Sequence, residues 1–377
     1  MADQFTLTAR WVFPVSAPPL ERGLVTVAGD RIAAVEPHGT RTADLDLGDA
    51  AIVPGFVNAH THLDLTGARG RTPPTPDFVG WLRQVIAHRR ALDRENQVED
   101  VHTGLVETTF AGSTLIGDIS GTGWSWQAAM MHADCRTVVF QEVLGLTAER
   151  ARSAWENAVD WHNWTEELCK DESNDLHTYL RPGISPHAPY SVHQMLLRRV
   201  VDRAKHRQFP IAIHLAEWAA EADLLRDQTG ALVPFLHELG VWDPSGLVRS
   251  WEQVVNLASG PFPALFIHCN YLPAEIQIST NVSVVYCPRT HAAFGHPPHP
   301  FRQFLARGVR VALGTDSLAS NPDLSILAEA RFVRSRHRDL SGDTLLRLAT
   351  LSGAEALGWA DETGSLEPGK SADFAVV

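Results

Sequence analysis

Four short segments of this chain each place a histidine or an acidic residue after a run of apolar and β-branched residues. The residues are His60 with His62, His214 with Glu217, His268, and Asp316. Neutral imidazoles and one carboxylate, without a thiolate, are a ligand set that suits Zn²⁺ or Fe²⁺. The segments therefore predict one divalent metal site. We expect its ligands to be His60, His62, His214 and Asp316.

Two residues of these segments remain for acid–base chemistry, namely Glu217 and His268. His60 and His62 are two residues apart, so on an extended chain both imidazoles lie on one face. His214 and Glu217 are three residues apart, which places them on opposite faces of a straight strand. We expect the strand to end near Leu215, so that the following turn brings Glu217 back over the site.

These segments require a fold that gathers several strand ends. Eight β-branched runs alternate with longer stretches of helical period, which predicts an α/β fold, a (β/α)8 TIM barrel with parallel strands. The predicted strands are residues 52–57, 114–119, 138–143, 180–185, 210–214, 264–268, 282–286 and 309–313. Catalytic groups of such barrels lie at the C-terminal ends of the strands. Between the fifth and sixth strands we expect two helical stretches, residues 219–238 and 244–258.

Both ends of the chain are rich in short strands. Residues 1–54 contain several, with a hairpin corner at Gly29-Asp30, and residues 361–377 contain another. We predict that the two ends form a small composite β-sandwich domain. The metal-dependent barrel then comprises residues 55–360.

Composition excludes several classes of protein. The chain has 377 residues, 44% hydrophobic and 20% charged, with a net charge of −12 and no cluster of Lys or Arg. Nucleic acid and membranes are therefore not expected as partners. Its 4 cysteines form no CxxC pair, which argues against a thiolate zinc site or a disulfide scaffold. We expect a cytoplasmic enzyme with a small-molecule substrate, and the acidic barrel is compatible with a homodimer.

The same segments resemble the amidohydrolase superfamily, over essentially the whole chain. The matching stretches are residues 54–62 (PGFVNAHTH), the His214/Glu217 pair, His268, Asp316 and residues 368–373 (PGKSAD). The His-Leu-Ala-Glu motif is similar to that of the mononuclear aminohydrolases, which deaminate purines, pyrimidines and their nucleosides. The resemblance implies that Glu217 moves protons, that His268 hydrogen-bonds the reacting centre and that Asp316 also orients the nucleophile.

The resemblance also bears on the number of metal ions. Two-metal members bridge their ions with a carboxylated lysine at the end of strand four. The corresponding segment here, residues 180–187, contains no lysine, and the whole chain has only Lys170, Lys205 and Lys370. One Zn²⁺ or Fe²⁺ per subunit is therefore implied.

Three further stretches narrow the resemblance. Residues 185–191 (SPHAPYS) are similar to a segment of S-adenosylhomocysteine/methylthioadenosine deaminases and aminodeoxyfutalosine deaminases, in which the histidine contacts ribose. Residues 314–325 and 78–82 are most similar to the aminodeoxyfutalosine group. After strand seven the chain departs from the usual Cys-Pro-Ser-Asn pattern, with Cys-Pro-Arg-Thr-His at residues 287–291. This departure leaves the exact substrate open.

Substrate contacts are expected from four residues. His187 matches the ribose-binding histidine, Trp81 would form a wall of the pocket, and Ser317 follows a predicted ligand. Arg289 could pair with a substrate carboxylate, such as the benzoate of aminodeoxyfutalosine, or could serve as a surface or helix-capping arginine. The His/Pro-rich residues 291–300 are expected to form a rigid lining loop rather than a second metal site. Packing roles are expected for Trp124, Trp126, Trp155, Trp161 and Trp164.

The expected function is metal-dependent hydrolytic deamination of an adenine-type nucleoside, with aminodeoxyfutalosine as the best match. The alternatives are S-adenosylhomocysteine, methylthioadenosine, adenosine, or another N-heterocycle such as guanine, cytosine or a triazine. A chlorohydrolase is a further alternative, but an amine leaving group needs a proton donor such as Glu217 and chloride does not. A non-catalytic scaffold would be expected to lack at least one ligand, and all four are present.

Overall fold

Eight parallel strands form the central sheet of this computed structural model, which describes residues 4–121, 135–171 and 176–377. The strands are β8 (Phe56–Thr61), β9 (Ser113–Ser120), β10 (Arg136–Val143), β11 (Leu180–Pro186), β12 (Ile211–Leu215), β13 (Ala264–His268), β14 (Val282–Tyr286) and β15 (Arg310–Leu313). They are ordered consecutively from β8 to β15. The backbone N–H groups of Thr315 and Asp316, just after β15, both donate to the His60 carbonyl of β8 at 3.1 Å. The predicted TIM barrel is confirmed.

Helices alternate with these strands and cover the outside of the barrel. They are α1 (Phe78–Ala91), α2 (Arg94–Phe110), α3 (Ala148–Lys170), α4 (Gln194–Arg207), α5 (Ala219–Asp227), α6 (Leu232–Glu238), α7 (Trp251–Leu257), α8 (Pro288–Ala293), α9 (Phe301–Ala306), α10 (Ile326–Arg336), α11 (Gly342–Ala349) and α12 (Leu351–Ala356). Short 3₁₀ helices cover Leu63–Ala68, Leu176–Thr178 and Pro244–Gly246. Among the helices of the described residues, none has the length and apolar composition needed to cross a membrane.

The ends of the chain form two smaller four-stranded sheets. Their strands are β1 (Gln4–Thr8), β2 (Trp11–Val12), β3 (Leu20–Glu21), β4 (Leu24–Ala28), β5 (Arg31–Glu36), β6 (Leu45–Asp46), β7 (Ala51–Pro54) and β16 (Phe374–Val376). One sheet has the order β5-β4-β1-β6 and the other β16-β7-β2-β3. In the second sheet the C-terminal strand pairs antiparallel with β7, which pairs parallel with β2. The two ends of the chain therefore pair with each other, while the exact domain boundaries stay a prediction.

The predicted first barrel strand, residues 52–57, is wrong. Residues 51–54 belong to the small sheet as β7, and the barrel strand β8 begins only at Phe56. Gly55 separates them, and a Cβ atom there would overlap the side chain of Thr114. His60 consequently lies within its strand rather than after it.

Helix lengths also differ from the predictions. The stretch 219–238 is two helices, because Gln228 and Gly230 adopt left-handed conformations between them. The stretch 244–258 consists of the 3₁₀ helix Pro244–Gly246 and the helix α7, Trp251–Leu257, rather than one continuous helix. Of the tryptophans expected to pack, Trp155 lies against the core whereas Trp164 is 44% exposed. Trp124 and Trp126 lie outside the described residues.

The barrel wall is apolar on both faces, as expected for buried parallel strands. On β12, Ile211, Ile213 and Leu215 pack in the outer layer beneath the helices. Ala212, which alternates with them, packs with the residues of neighbouring strands. This alternation of inner and outer side chains determines which residues can reach the mouth of the barrel.

Two arginines at the starts of barrel strands anchor the C-terminal segment. Arg136 at the start of β10 forms an ion pair with Asp373 and donates to Ser371 Oγ at 2.7 Å. Arg181 lies over the ring of the fully buried Trp359, 3.6 Å from its centroid. These contacts hold the residues before β16 against the barrel.

Removal of this anchor should destabilise the fold. We expect Arg136→Ala to lower the free energy of unfolding by about 2 kcal/mol, because Asp373 would remain largely buried without its cation. Urea denaturation followed by circular dichroism measures the change. Arg10→Ala removes an exposed ion pair with Asp49 and should change stability by less than about 0.5 kcal/mol. Equal effects of the two variants would contradict the anchoring role.

Candidate active site

A cluster of buried histidines and one aspartate lies at the mouth of the barrel. His62 Nε2 and His214 Nε2 are 3.3 Å apart, and His60 Nε2 is 3.6 Å from Asp316 Oδ1. In each of two groups of three residues, every residue offers one potential ligand atom within 4.8 Å of those of the other two. They are His60, His62 and Asp316, and His60, His214 and His268. The structure thus brings together the residues that the four sequence segments predicted to be neighbours.

Left-handed turns direct three of these segments into the mouth. The strand β12 ends at Leu215, and Ala216 then has φ 51°, which turns Glu217 toward the cavity. Asp316, three residues after the end of β15 at Leu313, has φ 62°. Such conformations are uncommon for residues other than glycine and cost about 1–2 kcal/mol each.

The third turn reverses the direction of His268. Phe266 packs in the outer layer and Ile267 with the inner residues, so regular alternation would send His268 outward. His268 and Cys269 instead have φ of 68° and 56°. The His268 imidazole therefore lines the cavity, whereas Cys269 packs into the outer layer.

The chemistry of the cluster fits a divalent metal ion. Both ring nitrogens of the fully buried His60 lack a hydrogen-bond partner among the described residues. Burial lowers the pKa of His62 and of His214, so both imidazoles are neutral and available as ligands at pH 7. His214 Nδ1 is 3.0 Å from the His187 carbonyl, and donation of its proton there leaves Nε2 free to bind an ion.

The carboxylate of the cluster is ionised. Burial alone would raise the pKa of Asp316, but the neighbouring imidazoles, His60 first among them, lower it below its ordinary value. The backbone N–H of Ser317 donates to Asp316 Oδ1 at 2.7 Å, and Ser320 Oγ donates to Oδ2 at 2.9 Å. These bonds fix the orientation of the carboxylate.

Glu217 and His268 form a pair beside the cluster, with Oε1 and Nε2 3.6 Å apart. Burial, with the nearby Asp316 and Glu221 carboxylates, raises the pKa of Glu217 well above its ordinary value. Burial lowers the pKa of His268 to about 3. A carboxyl group that readily holds a proton next to a neutral imidazole is suited to proton transfer.

Glu221, which the sequence analysis missed, holds the Glu217 turn. Its fully buried carboxylate accepts from the consecutive backbone N–H groups of Ala216, Glu217 and Trp218 at 3.1, 2.7 and 3.2 Å. Burial raises its pKa to about 7, although these donors act in the opposite direction. Glu221 lies four residues after Glu217, and this spacing was the signal in the sequence that could have identified it.

A cavity of about 530 Å³ opens above the cluster. Three of the four residues expected to contact substrate line it, namely Trp81, His187 and Ser317. Trp81 is fixed by donation from Nε1 to the Thr72 carbonyl and by an edge contact with Phe294. His187 Nδ1 is 2.6 Å from Ser191 Oγ.

Arg289, the fourth expected contact, is not brought to the cavity. Its guanidinium makes ion pairs with Asp323 and Glu329, both at 2.6 Å. Glu329 also accepts from the side chain of Asn321, which donates to the Thr315 carbonyl. Arg289 thus holds the loop after β15 in place. Its side chain is only 14% exposed and pairs with two carboxylates, so the alternative of a surface or helix-capping arginine is wrong as well.

A charged group in the cavity wall was also missed. Arg89 on α1 donates to Asp64 and Glu142, both at 3.1 Å, and lies 3.4 Å from His62 Nδ1. Glu142 Oε1 is buried and has no hydrogen-bond partner among the described residues. Glu142 lies at the C-terminal end of β10. The rule that catalytic groups lie at the C-terminal ends of barrel strands could therefore have identified it. Arg89 lies within a helix and gave no comparable signal.

The expectation that residues 291–300 form a lining loop is wrong, because none of them is among the residues that line the cavity and residues 291–293 belong to α8. The loop 291–300 also holds no second metal cluster within the residues that the structure describes. Each of its histidines has another partner. His291 Nε2 lies 2.9 Å from the Pro297 carbonyl, His296 Nδ1 lies 3.1 Å from the Tyr271 hydroxyl, and His299 Nε2 lies 2.6 Å from the His268 carbonyl.

Comparison with known proteins gives the family. A profile described as "Amidohydrolase family" matches residues 51–377. The chain belongs to this family. It is 30% identical, over 97% of its length and 83% of the relative's, to the 5-methylthioadenosine/S-adenosylhomocysteine deaminase of Moorella thermoacetica. It is 28% identical to the aminodeoxyfutalosine deaminase of Nitratiruptor, over 87% of this chain and 79% of the relative. This amidohydrolase is accordingly a hydrolase that acts on carbon–nitrogen bonds.

Solved structures agree with this assignment. An adenosine deaminase from Xanthomonas campestris with bound Zn is 25% identical, with a TM-score of 0.74 over 100% of this chain and 84% of that one. The aminofutalosine deaminase of Helicobacter pylori has a TM-score of 0.80 over 99% of this chain and 91% of that one. At 22% identity, the second similarity concerns the fold.

Metal analysis can test the cluster directly. We expect purified protein to contain a divalent ion by elemental analysis, and His60→Ala to lose most of it because His60 belongs to both groups of potential ligands. His187→Asn, which alters the same cavity outside the cluster, should retain the ion. Full metal content in His60→Ala would refute this ligand set.

Proposed function

We propose that this amidohydrolase is a metal-dependent hydrolytic deaminase that releases ammonia from an adenine-type nucleoside. The observation that carries the proposal is the Glu217–His268 pair, 3.6 Å apart, directly beside the buried His/Asp cluster in the cavity wall. Relatives named as methylthioadenosine/S-adenosylhomocysteine and aminodeoxyfutalosine deaminases support this class of substrate.

The proposed metal ligands are His60, His62, His214 and Asp316, holding one Zn²⁺ or Fe²⁺. An ion bound there would lower the pKa of water toward neutrality and so provide a nucleophile at pH 7. Asp316, whose two oxygens are already oriented by Ser317 and Ser320, would also align the attacking oxygen.

Glu217 would carry the proton through the reaction. It accepts a proton from the attacking water and gives it to a ring nitrogen as the C=N bond is attacked. A second proton, from the hydroxyl group now bonded to the carbon, is then transferred to the exocyclic amine. The C–N bond breaks, ammonia leaves and the carbon–oxygen bond becomes a carbonyl. The raised pKa of Glu217 suits a group that must both accept and return a proton.

His268 would stabilise the tetrahedral centre. Its Nε2 lies on the same side of the cavity as Glu217 Oε1, and its neutral imidazole can hydrogen-bond the attacking oxygen.

The middle of the cavity suits the hydroxyl groups of a ribose. Glu142 Oε1 is buried without a partner among the described residues, and His187 Nε2 lies 3.9 Å from it. A carboxylate and an imidazole so placed could receive two neighbouring hydroxyls, which would satisfy the otherwise unpaired oxygen. Arg89, which donates to the other oxygen of Glu142, would hold this carboxylate in place.

The remaining cavity wall suits an apolar group that carries a negative charge. Leu146, Leu239 and Val241 line it together with the exposed Arg90 and Arg150. The benzoate of aminodeoxyfutalosine would place its ring against the leucines and its carboxylate near the arginines. These arginines, rather than Arg289, are the proposed carboxylate partners, and aminodeoxyfutalosine is the proposed substrate.

The role of Glu217 predicts a rate effect without loss of metal. Glu217→Gln should lower kcat about 10²–10⁴-fold, because the amide cannot accept the water proton. Ammonia release measures kcat, and elemental analysis checks that the ion is retained. Glu238→Gln, which changes a surface pair with Arg83, should leave kcat unaltered. Unchanged turnover by Glu217→Gln would rule out this role.

The arginine-lined wall predicts discrimination between two nucleosides. Arg150→Ala should raise KM for aminodeoxyfutalosine about 10-fold or more, as expected for loss of a charge-assisted hydrogen bond. Methylthioadenosine has no carboxylate, so its KM should stay within about 2-fold. Arg152→Ala, on the same helix but outside the cavity lining, is the control.

A panel of substrates tests the proposed class of substrate separately from the proposed individual compound. Ammonia release should be tested with aminodeoxyfutalosine, S-adenosylhomocysteine, methylthioadenosine, adenosine, guanine and cytosine. Preference for another adenine-type compound would replace the proposed substrate and keep the class. Failure on every adenine-type compound would reject the proposed function.

A further inference from the structure

The conformation of His268 needs an explanation outside the metal cluster. Its φ of 68° and that of Cys269, 56°, place two successive non-glycine residues in the left-handed region. Conformations of this kind persist only where the surrounding structure fixes them. The backbone N–H of Cys269 is held by the Leu215 and Ile267 carbonyls, at 2.9 and 3.0 Å.

The carbonyl of His268 is held by His299, which lies in the loop 291–300. His299 Nδ1 accepts from the backbone N–H of Phe301 at 2.9 Å, so its ring proton is on Nε2. This Nε2–H donates to the His268 carbonyl at 2.6 Å. Both groups are buried, and the bond is therefore shielded from competition by water.

The ring of His299 is itself immobilised. Tyr286, the last residue of β14, stacks on it with ring centroids 4.1 Å apart and planes inclined by 24°. Phe301 also contacts it, with centroids 6.2 Å apart. Tyr286 of β14 thus fixes the ring of His299, and His299 in turn fixes the backbone carbonyl of His268.

From these contacts we infer that His299 is a positioning residue for His268. Its hydrogen bond maintains the left-handed turn that reverses the strand alternation and brings the His268 imidazole beside Glu217. Without this bond, the backbone would relax toward an extended conformation and the imidazole would move out of reach of the reacting centre. This inference rests on the proposed function for the role of His268 in catalysis, but not for its position.

Two substitutions of His299 each preserve a different one of its two hydrogen bonds, to the His268 carbonyl or to the Phe301 backbone N–H. His299→Gln extends an amide N–H toward the position of Nε2 and can still donate to the His268 carbonyl. His299→Asn is shorter, so its amide oxygen can still accept from Phe301 while the donor to His268 is lost. A purely structural role in capping α9 therefore predicts that Asn is tolerated, whereas positioning predicts that Gln is tolerated.

The kinetic test uses the metal-loaded enzyme with its best deamination substrate. His299→Asn should lower kcat about 10–100-fold with KM within about 3-fold of wild type, as expected for a misplaced catalytic group. His299→Gln should recover kcat to within about 5-fold of wild type. His291→Asn breaks a hydrogen bond within the same loop, to Pro297, and should leave kcat unaltered. Metal content should be equal in all four proteins.

Crystal structures of the same variants give a readout that does not depend on activity. In His299→Asn we expect His268 to leave the left-handed region and its ring to move by about 1 Å or more, a displacement sufficient for such a rate loss. In His299→Gln it should remain in place. An unmoved His268 in His299→Asn, or an equal loss of kcat in His291→Asn, would overturn the inference. If wild type deaminates no compound, the proposed function fails while these structures still decide the positioning role.

Discussion

Backbone conformation after the barrel strands is the constraint on which the site depends. A parallel barrel supplies inner and outer positions in strict alternation, and alternation alone would place His268 and Glu217 outside the mouth. Left-handed residues at 216 and 268 change that direction, and Asp316 adopts the same conformation. The buried Glu221 carboxylate holds the first turn through three N–H groups. The chemistry of the mouth thus relies on side chains that never face the cavity.

The cavity combines three environments along one wall. Neutral, desolvated imidazoles surround Asp316, the Arg89–Glu142 pair presents an unpaired oxygen beside His187, and leucines with two arginines complete the lining. Each environment suits a different part of the proposed substrate, namely its ring amine, its ribose and its benzoate.

The sequence predicted the barrel and the cluster because both follow from local patterns. Strands alternate with helical stretches, and His60, His214, His268 and Asp316 stand at strand ends. The division between β7 and β8 could not be predicted from hydrophobicity, because the apolar run continues across Gly55; the close approach of Thr114 becomes visible only in three dimensions. Arg289 was ambiguous for a related reason. Its partners Asp323 and Glu329 lie more than thirty residues away, and an arginine alone does not reveal whether it is already paired.

The pairing of β16 with β7 has a consequence for synthesis. The strand at residues 374–376 adds to a sheet whose other members lie within the first 54 residues, so roughly 300 residues, including the whole barrel, separate the partners. At roughly 5–20 residues per second, the ribosome would take tens of seconds to proceed from β7 to β16. During that interval β7 presents an unpaired edge, and an early-folding barrel would leave this edge open to other nascent chains. β16 can therefore join the small sheet only after the whole barrel has been synthesised.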